Sequence, residues 1–273
     1  MISSIANLLG YILNFIYNFI GNYGWAIIIF SILIKLIMLP LSIKQQKTMK
    51  KTAKMQVELK EMQDKYKNNP EKLNQEMMDL YKRENMSPFS GCFSSIIQII
   101  LLFAVFYMVR SPLTYMKKVD TAVIEKYMDE IATTTNAYPE VQIIKEKGQE
   151  DEVVNINMNF LGLDLSSIPS ANFQDYRVYI IPVLYVISSI FSMKLSMNMN
   201  VQNKEKEDKE NDEMEAMQGM SKSMGYMMPV MAVSISLVAP LGLALYWLVN
   251  NVLMIAERII IDTVIKEKEE VEV

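Results

Sequence analysis

The chain has 273 residues, of which 51% are hydrophobic and 21% charged, and its formal net charge is −4. It contains no histidine and one cysteine, Cys92, which excludes a histidine-ligated metal, a histidine general base, an intrachain disulfide and a CxxC site. Its glycines form no phosphate-binding motif, so nothing suggests nucleotide binding. Since these features are all missing, neither enzyme activity nor a cofactor is expected. Charges cluster in three blocks between nearly uncharged segments, and this distribution predicts a multi-spanning membrane protein.

Residues 1–22 combine an apolar face with a polar stripe at helical spacing. This pattern predicts an extracytoplasmic amphipathic helix that lies in the membrane interface. A signal peptide is the alternative, but a basic start and a small-residue cleavage site are both missing. The polar stripe comprises Ser4, Asn7, Tyr11, Asn14 and Asn18.

The first predicted span, residues 23–43, contains one internal charge, Lys35. A helix centred near Leu33 places Lys35 about 3 Å from the middle of the membrane. Insertion of a lysine there costs roughly 2.5–3.5 kcal/mol, and a lysine side chain is too short to cross a half-bilayer of ~15 Å to the headgroups. Lys35 is therefore predicted to line a water-accessible pocket within the membrane.

Residues 44–88 follow the first span and carry a dense basic run. Two apolar helical stripes flank Asn69-Pro70, where Asn69 is a plausible N-cap and Pro70 a plausible first helical residue. We predict a helical hairpin here, with a solvated charged linker as the alternative. The hairpin's candidate partner-binding residues are Lys44, Lys47, Lys50, Lys51 and Lys54.

The next two spans are predicted at residues 89–112, which contain Gln98, and at residues 176–197, which contain Ser188 and Ser192. The loop between them, residues 113–175, has 5 Lys/Arg against 11 Asp/Glu. Lysines concentrate after the first span, so the positive-inside rule makes the hairpin cytoplasmic and places the N-terminus and the acidic loop outside.

A final apolar run, Tyr226–Ala256, would be about 46 Å long as one helix, which exceeds a hydrocarbon core of ~30 Å. A turn at Ala239-Pro240-Leu241-Gly242 would divide it into two short spans, and a kinked single helix is the alternative. The predicted segments are a cytoplasmic loop at 198–223, spans at 224–239 and 240–262, and a cytoplasmic tail at 263–273.

Four stretches of the chain match one family in the right order. They are NYGWAIIIFSILIKLIMLPLSIKQQKTMK (22–50), NMSPFSGC followed by Gln98 (85–98), FLGLDLSSIP (160–169) and MMPVM…APLGLALYWLVNNVLMIAE (227–257). On these motifs the chain resembles the YidC-type membrane protein insertases in their five-span Gram-positive form, a family related to organellar oxidase-assembly insertases.

The resemblance implies an all-α membrane protein whose five transmembrane helices surround a hydrophilic groove open to the cytoplasm. Lys35 occupies the position of a groove-lining cation that is arginine in most relatives, so the planar fork that binds carboxylates bidentately is lost. The cationic head of Lys35 would favour substrates with acidic residues in the translocated segment. Asn250 and Asn251 cannot both face the groove, and Tyr246 and Trp247 could equally pack between helices. The candidate groove residues are Lys35, Gln98, Ser188, Ser192, Tyr246, Trp247 and Asn250.

The expected function is insertion and folding of nascent membrane proteins without ATP hydrolysis, in a bacterial cell membrane. Expected partners are nascent membrane proteins, the ribosome, the targeting receptor, the Sec translocase and anionic lipids. Two other function classes stay open at this point. A small-solute transporter would also explain an intramembrane lysine, although no internal repeat is visible. A passive scaffold for membrane complexes would make Lys35 dispensable.

Overall fold

The computed structural model describes residues 2–85, 90–131, 137–201 and 234–271. The helices are α1 (Ile2–Ile20), α2 (Tyr23–Lys65), α3 (Pro70–Arg83), α4 (Ser90–Arg110), α5 (Thr121–Glu130), α6 (Pro139–Lys147), α7 (Ile180–Val201) and α8 (Leu241–Val271). The chain also contains a π-helical turn (Leu113–Lys117) and two 3-10 turns (Pro169–Ala171 and Tyr176–Tyr179). Two short antiparallel strands, β1 (Asn159–Phe160) and β2 (Leu163–Asp164), pair with each other. The predicted fold class, an all-α membrane protein, is confirmed.

Four segments of the described helices are long and apolar enough to cross a membrane. They are Ile2–Ile20, Tyr23–Thr48, Tyr176–Leu195 and Leu241–Ile261, and Ile96–Arg110 is a shorter apolar helix.

Two of the predicted segments lie mostly outside the described residues. These are most of the loop at 198–223 and the first part of the span at 224–239. Residues 234–238 are helical, and a break at Ala239 and Pro240 precedes α8.

By contacts the chain divides into two compact units, one formed by residues 1–35 and 103–273 and the other by residues 36–102. The second unit contains the helical hairpin made by α3 and the last part of α2. The predicted N-cap of α3 is confirmed, because the Asn69 side chain accepts a hydrogen bond from the Lys72 amide at 3.1 Å. Pro70 lies in the first turn of the helix, as predicted. Met55 and Leu80 are buried in the apolar seam of the hairpin.

Within the first unit, residues 111–131 and 137–177 fold into a segment that we call the cap. It binds the starts of two spans through backbone hydrogen bonds. The Tyr23 amide donates to the Asn157 carbonyl at 3.0 Å, and the Leu241 amide donates to the Ser167 carbonyl at 2.9 Å. Because α7 also leaves the cap directly, α2, α7 and α8 all begin at the same end and run in the same direction.

Helix α1 packs against the π-helical turn of the cap. Its buried face repeats every three to four residues and comprises Ala6, Leu9, Gly10, Leu13 and Ile16. Gly10 lets the two backbones approach closely, since a Cβ atom at this position would collide with the Tyr115 carbonyl oxygen. The opposite face exposes Leu8, Phe15 and Phe19, as expected for a helix surface that contacts lipid.

Helix α6 is attached to the same turn through the carboxylate of Glu140, which is 6% exposed. The Thr114 amide donates to one carboxylate oxygen at 2.9 Å, and the Thr114 hydroxyl donates to the other at 2.7 Å. Burial raises the pKa of Glu140 above its usual range, and the hydrogen bonds from Thr114 offset only part of that rise.

We expect Gly10→Leu to lower the free energy of unfolding by about 1–3 kcal/mol, because the new side chain must displace the backbone of the cap. Ser4→Leu, at an exposed position of the same helix, is the control and should have little effect. Unfolding of the purified protein in mixed micelles measures both. Equal effects of the two substitutions would contradict the packing of α1 on the cap.

The raised pKa of Glu140 predicts a specific pH dependence. Between the unfolded value of 4.5 and the raised folded value, the folded state binds more protons than the unfolded state. The contribution of Glu140 to stability is therefore fully present below pH 4.5 and is lost as the pH rises through the folded pKa. Thermal unfolding of wild type and Glu140→Gln between about pH 4 and 8 should show that the stability of wild type relative to the variant decreases as the pH rises. Glu125→Gln, at an exposed position, should show no such trend.

Candidate functional site

Lys35 forms an ion pair with Glu257, so the intramembrane lysine has a partner from another helix. The distance from Lys35 Nζ to Glu257 Oε2 is 2.6 Å, and the two side chains are 18% and 7% exposed. Lys35 lies near the centre of the apolar segment Tyr23–Thr48, and Glu257 lies in the apolar segment Leu241–Ile261. The pair therefore joins α2 to α8 within the membrane-spanning part of the chain.

The depth of this pair follows from the common starting point of α2 and α8 at the cap. Lys35 lies 12 residues after Tyr23, and Glu257 lies 16 residues after Leu241. At ~1.5 Å per residue these offsets correspond to about 18 Å and 24 Å along the helix axes. A lysine side chain is long enough to bridge this difference in position along the helix axes. Both charges thus lie inside an apolar layer of ~30 Å, beyond its midpoint as measured from the cap.

The sequence pattern around Glu257 did not predict it as a site residue. It ends the last family motif and stands next to Arg258, close to the end of the predicted span at 240–262. Next to Arg258 at the end of a span, Glu257 resembles a charge of the headgroup region. The signal that could have identified it is its charge, which is opposite to that of Lys35 in another span.

A second polar contact joins α7 to α8. Asn251 donates hydrogen bonds to the hydroxyl oxygens of Ser188, at 2.9 Å, and Ser189, at 3.2 Å. Ser188 in turn donates to the Tyr185 carbonyl at 2.8 Å. Asn251 and Ser189 are buried. The residue that reaches the serines is therefore Asn251, whereas the predicted Asn250 is half-buried and projects about 100° away around the helix.

The remaining predicted groove residues occupy different environments. Tyr246 is buried, and Trp247 is half-buried with its ring 6.4 Å from that of Tyr185. Ser192 is half-buried on α7. Gln98 lies on α4 in the second compact unit, and its side chain is exposed.

The basic residues of the hairpin also belong to the second unit. Lys44 and Lys47 are exposed on α2. Lys51 binds Glu84 of α3 at 3.3 Å, so its charge also stabilises the hairpin. The side chains of Lys50 and Lys54 lie outside the described part of the structure.

A cleft of about 700 Å³ opens between α2, α7 and α8. Among the described residues that line it, Ser188 is polar and the others are apolar. Ser188 also accepts the hydrogen bond from Asn251, so the polar contact between α7 and α8 borders the cleft. The apolar walls include Ile28 and Ile32 of α2, Ile187 and Phe191 of α7, and Val252 and Leu253 of α8.

Comparisons with known proteins cover nearly the whole chain. Residues 15–269 match the family described as 60Kd inner membrane protein. A Fusobacterium nucleatum protein named membrane protein insertase YidC is 29% identical over 255 residues, which are 93% of this chain and 93% of the relative. A protein of that name from Caldanaerobacter subterraneus is 31% identical over 199 residues, 70% of this chain and 91% of the relative.

Other relatives are much longer than this chain. A Chlorobaculum tepidum protein, also named membrane protein insertase YidC, is 29% identical over 266 residues. The match covers 94% of this chain and 36% of the relative. The chain thus spans about a third of the length of some relatives that it matches.

The ion pair predicts strong coupling between Lys35 and Glu257. Lys35→Met and Glu257→Met should each destabilise the protein by about 3–5 kcal/mol, because each leaves a charge within the membrane-spanning part of the chain without its partner. The double substitution should lower the free energy of unfolding by far less than the sum of the two single effects. Unfolding in mixed micelles measures all three. Lys194→Met, at an exposed lysine of α7, is the control and should change stability by no more than about 0.5 kcal/mol. Additive single effects would contradict the pairing.

Proposed function

The chain belongs to the 60Kd inner membrane protein family, that of the YidC-type insertases, and we propose that it inserts nascent membrane proteins and helps them to fold. Its family and its apolar helices make it a multi-pass membrane protein of bacterial type. The observation that carries the proposal is the cleft between α2, α7 and α8, whose apolar walls border the polar contact of Asn251 with Ser188.

In this proposal the cleft contacts the apolar segment of a substrate while it moves into lipid. The neighbouring polar groups lower the barrier for the polar segment that must cross the membrane. Lys35, Ser188, Ser192 and Asn250 supply these groups, and Tyr246 and Trp247 shape the α7–α8 surface beside them. We propose a polar role for Gln98 as well, because it lies within the predicted span 89–112.

Lipid partition supplies the driving force in this mechanism. An apolar segment of ~20 residues gains about 0.3–0.6 kcal/mol per residue on entering the membrane, or on the order of 6–12 kcal/mol in total. This exceeds the roughly 2.5–3.5 kcal/mol cost of one charged residue at the membrane centre. We therefore propose that insertion proceeds without ATP hydrolysis.

The proposed orientation places the N-terminus outside and both the hairpin and the C-terminus in the cytoplasm. The lysine excess after the first span supports this orientation. Exposed lysines such as Lys44 and Lys47 would then face the ribosome, the targeting receptor, the Sec translocase or anionic lipid headgroups.

Reconstitution tests the proposed function. Liposomes that contain the purified chain should protect the short neutral tail of a single-span substrate from external protease faster than protein-free liposomes do. Ile187→Trp should slow insertion severalfold, because Ile187 lines the cleft and the larger ring fills it. Ile190→Trp is the matched control, since Ile190 is an exposed isoleucine of the same helix and lies outside the cleft lining.

Two results would contradict the proposal. Insertion no faster than in protein-free liposomes would reject the insertase activity itself. Equal effects of the two tryptophan substitutions would reject the cleft as the substrate surface.

A further inference from the structure

We propose that Glu257 determines which translocated segments this protein accepts, so that it favours segments carrying hydrogen-bond donors over acidic ones. The inference deepens the proposed insertase function and rests on it. It starts from the two oxygens of the Glu257 carboxylate, which have different surroundings.

One oxygen, Oε2, lies 2.6 Å from Lys35 Nζ. The other, Oε1, is buried, and no described residue donates a hydrogen bond to it. A buried carboxylate oxygen without a donor is costly and uncommon in folded proteins. Among the described residues Glu257 Oε1 thus has unused acceptor capacity within the membrane-spanning part of the chain. In this proposal a donor on the crossing segment approaches Oε1 and gains a charge-assisted hydrogen bond.

The chemistry of the incoming segment decides whether it can supply that donor. Lysine, arginine, asparagine, glutamine, serine and threonine side chains all carry N–H or O–H groups. An ionised aspartate or glutamate carries none, so it cannot donate a hydrogen bond to Oε1. The acceptor thus distinguishes donor-bearing segments from acidic ones.

The ion pair also removes the attraction that an unpaired Lys35 would exert on acidic segments. The pair has no net charge, and the ammonium group is already engaged by Oε2. An acidic substrate residue could bind Lys35 only by displacing Glu257, which would leave a buried carboxylate without a partner. Glu257 therefore changes the preference expected from Lys35 alone.

A series of substrates that differ in one property tests this inference. Three single-span substrates have translocated tails that are identical except for two residues, which are aspartate, asparagine or lysine. They are presented to liposomes without a membrane potential that contain wild type, Glu257→Gln, Lys35→Gln or the double variant. Each variant is judged by the ratio of acidic-tail insertion to neutral-tail insertion. A variant that yields less folded protein inserts less of both tails, so this ratio is unaffected.

Wild type should insert the neutral and basic tails severalfold better than the acidic tail. Glu257→Gln should raise the acidic-to-neutral ratio severalfold, because Lys35 then lacks its carboxylate partner. Lys35→Gln should lower that ratio further, and the double variant should lie between the two single variants.

Preferential insertion of the acidic tail by wild type, or an unchanged ratio in Glu257→Gln, would overturn the role of Glu257 while leaving the insertase function in place. Failure of wild type to insert even the neutral tail would instead overturn the insertase function, and this inference with it.

Discussion

Two opposite charges inside an apolar layer must stay together, and the structure of this chain depends on that requirement. Lys35 and Glu257 come from helices far apart in sequence, yet they lie 2.6 Å apart. Either charge alone would be costly at that depth. The cap makes the pairing possible, because it binds the starts of α2 and α8 through Tyr23 and Leu241 and so sets their axial register. The two helices are thus fixed at two levels, by backbone hydrogen bonds at the cap and by the ion pair deeper in the span.

The same arrangement determines the surface that the chain offers to other molecules. With α8 held to α2 by the ion pair and to α7 by Asn251, the three helices enclose a cleft whose walls are almost entirely apolar. In the proposed function, a substrate helix that enters this cleft would exchange lipid contacts for similar protein contacts, so its binding would stay weak enough for release. The polar groups beside the cleft would then serve the part of the substrate that lipid cannot accommodate.

The sequence predicted the parts of this structure that local patterns encode. The spacing of charges indicated an all-α membrane protein, and Asn69-Pro70 marked the start of α3. Lys35 was singled out because one charge within an apolar span needs a partner or water. Glu257 was missed because its partner is distant in sequence and its neighbour Arg258 made it resemble a headgroup-level charge. The choice of Asn251 over Asn250 depends on which side of α8 meets α7, and helical periodicity alone does not give that side.

The most direct test of the central claim is an exchange of the two charges. A bacterium depleted of its own insertase receives wild type, Lys35→Glu, Glu257→Lys or the double exchange, all at matched membrane levels. The pairing predicts that wild type supports growth, that each single exchange fails because like charges then face one another, and that the double exchange restores growth. Failure of the double exchange together with full activity of either single exchange would show that the pair does not hold the site together.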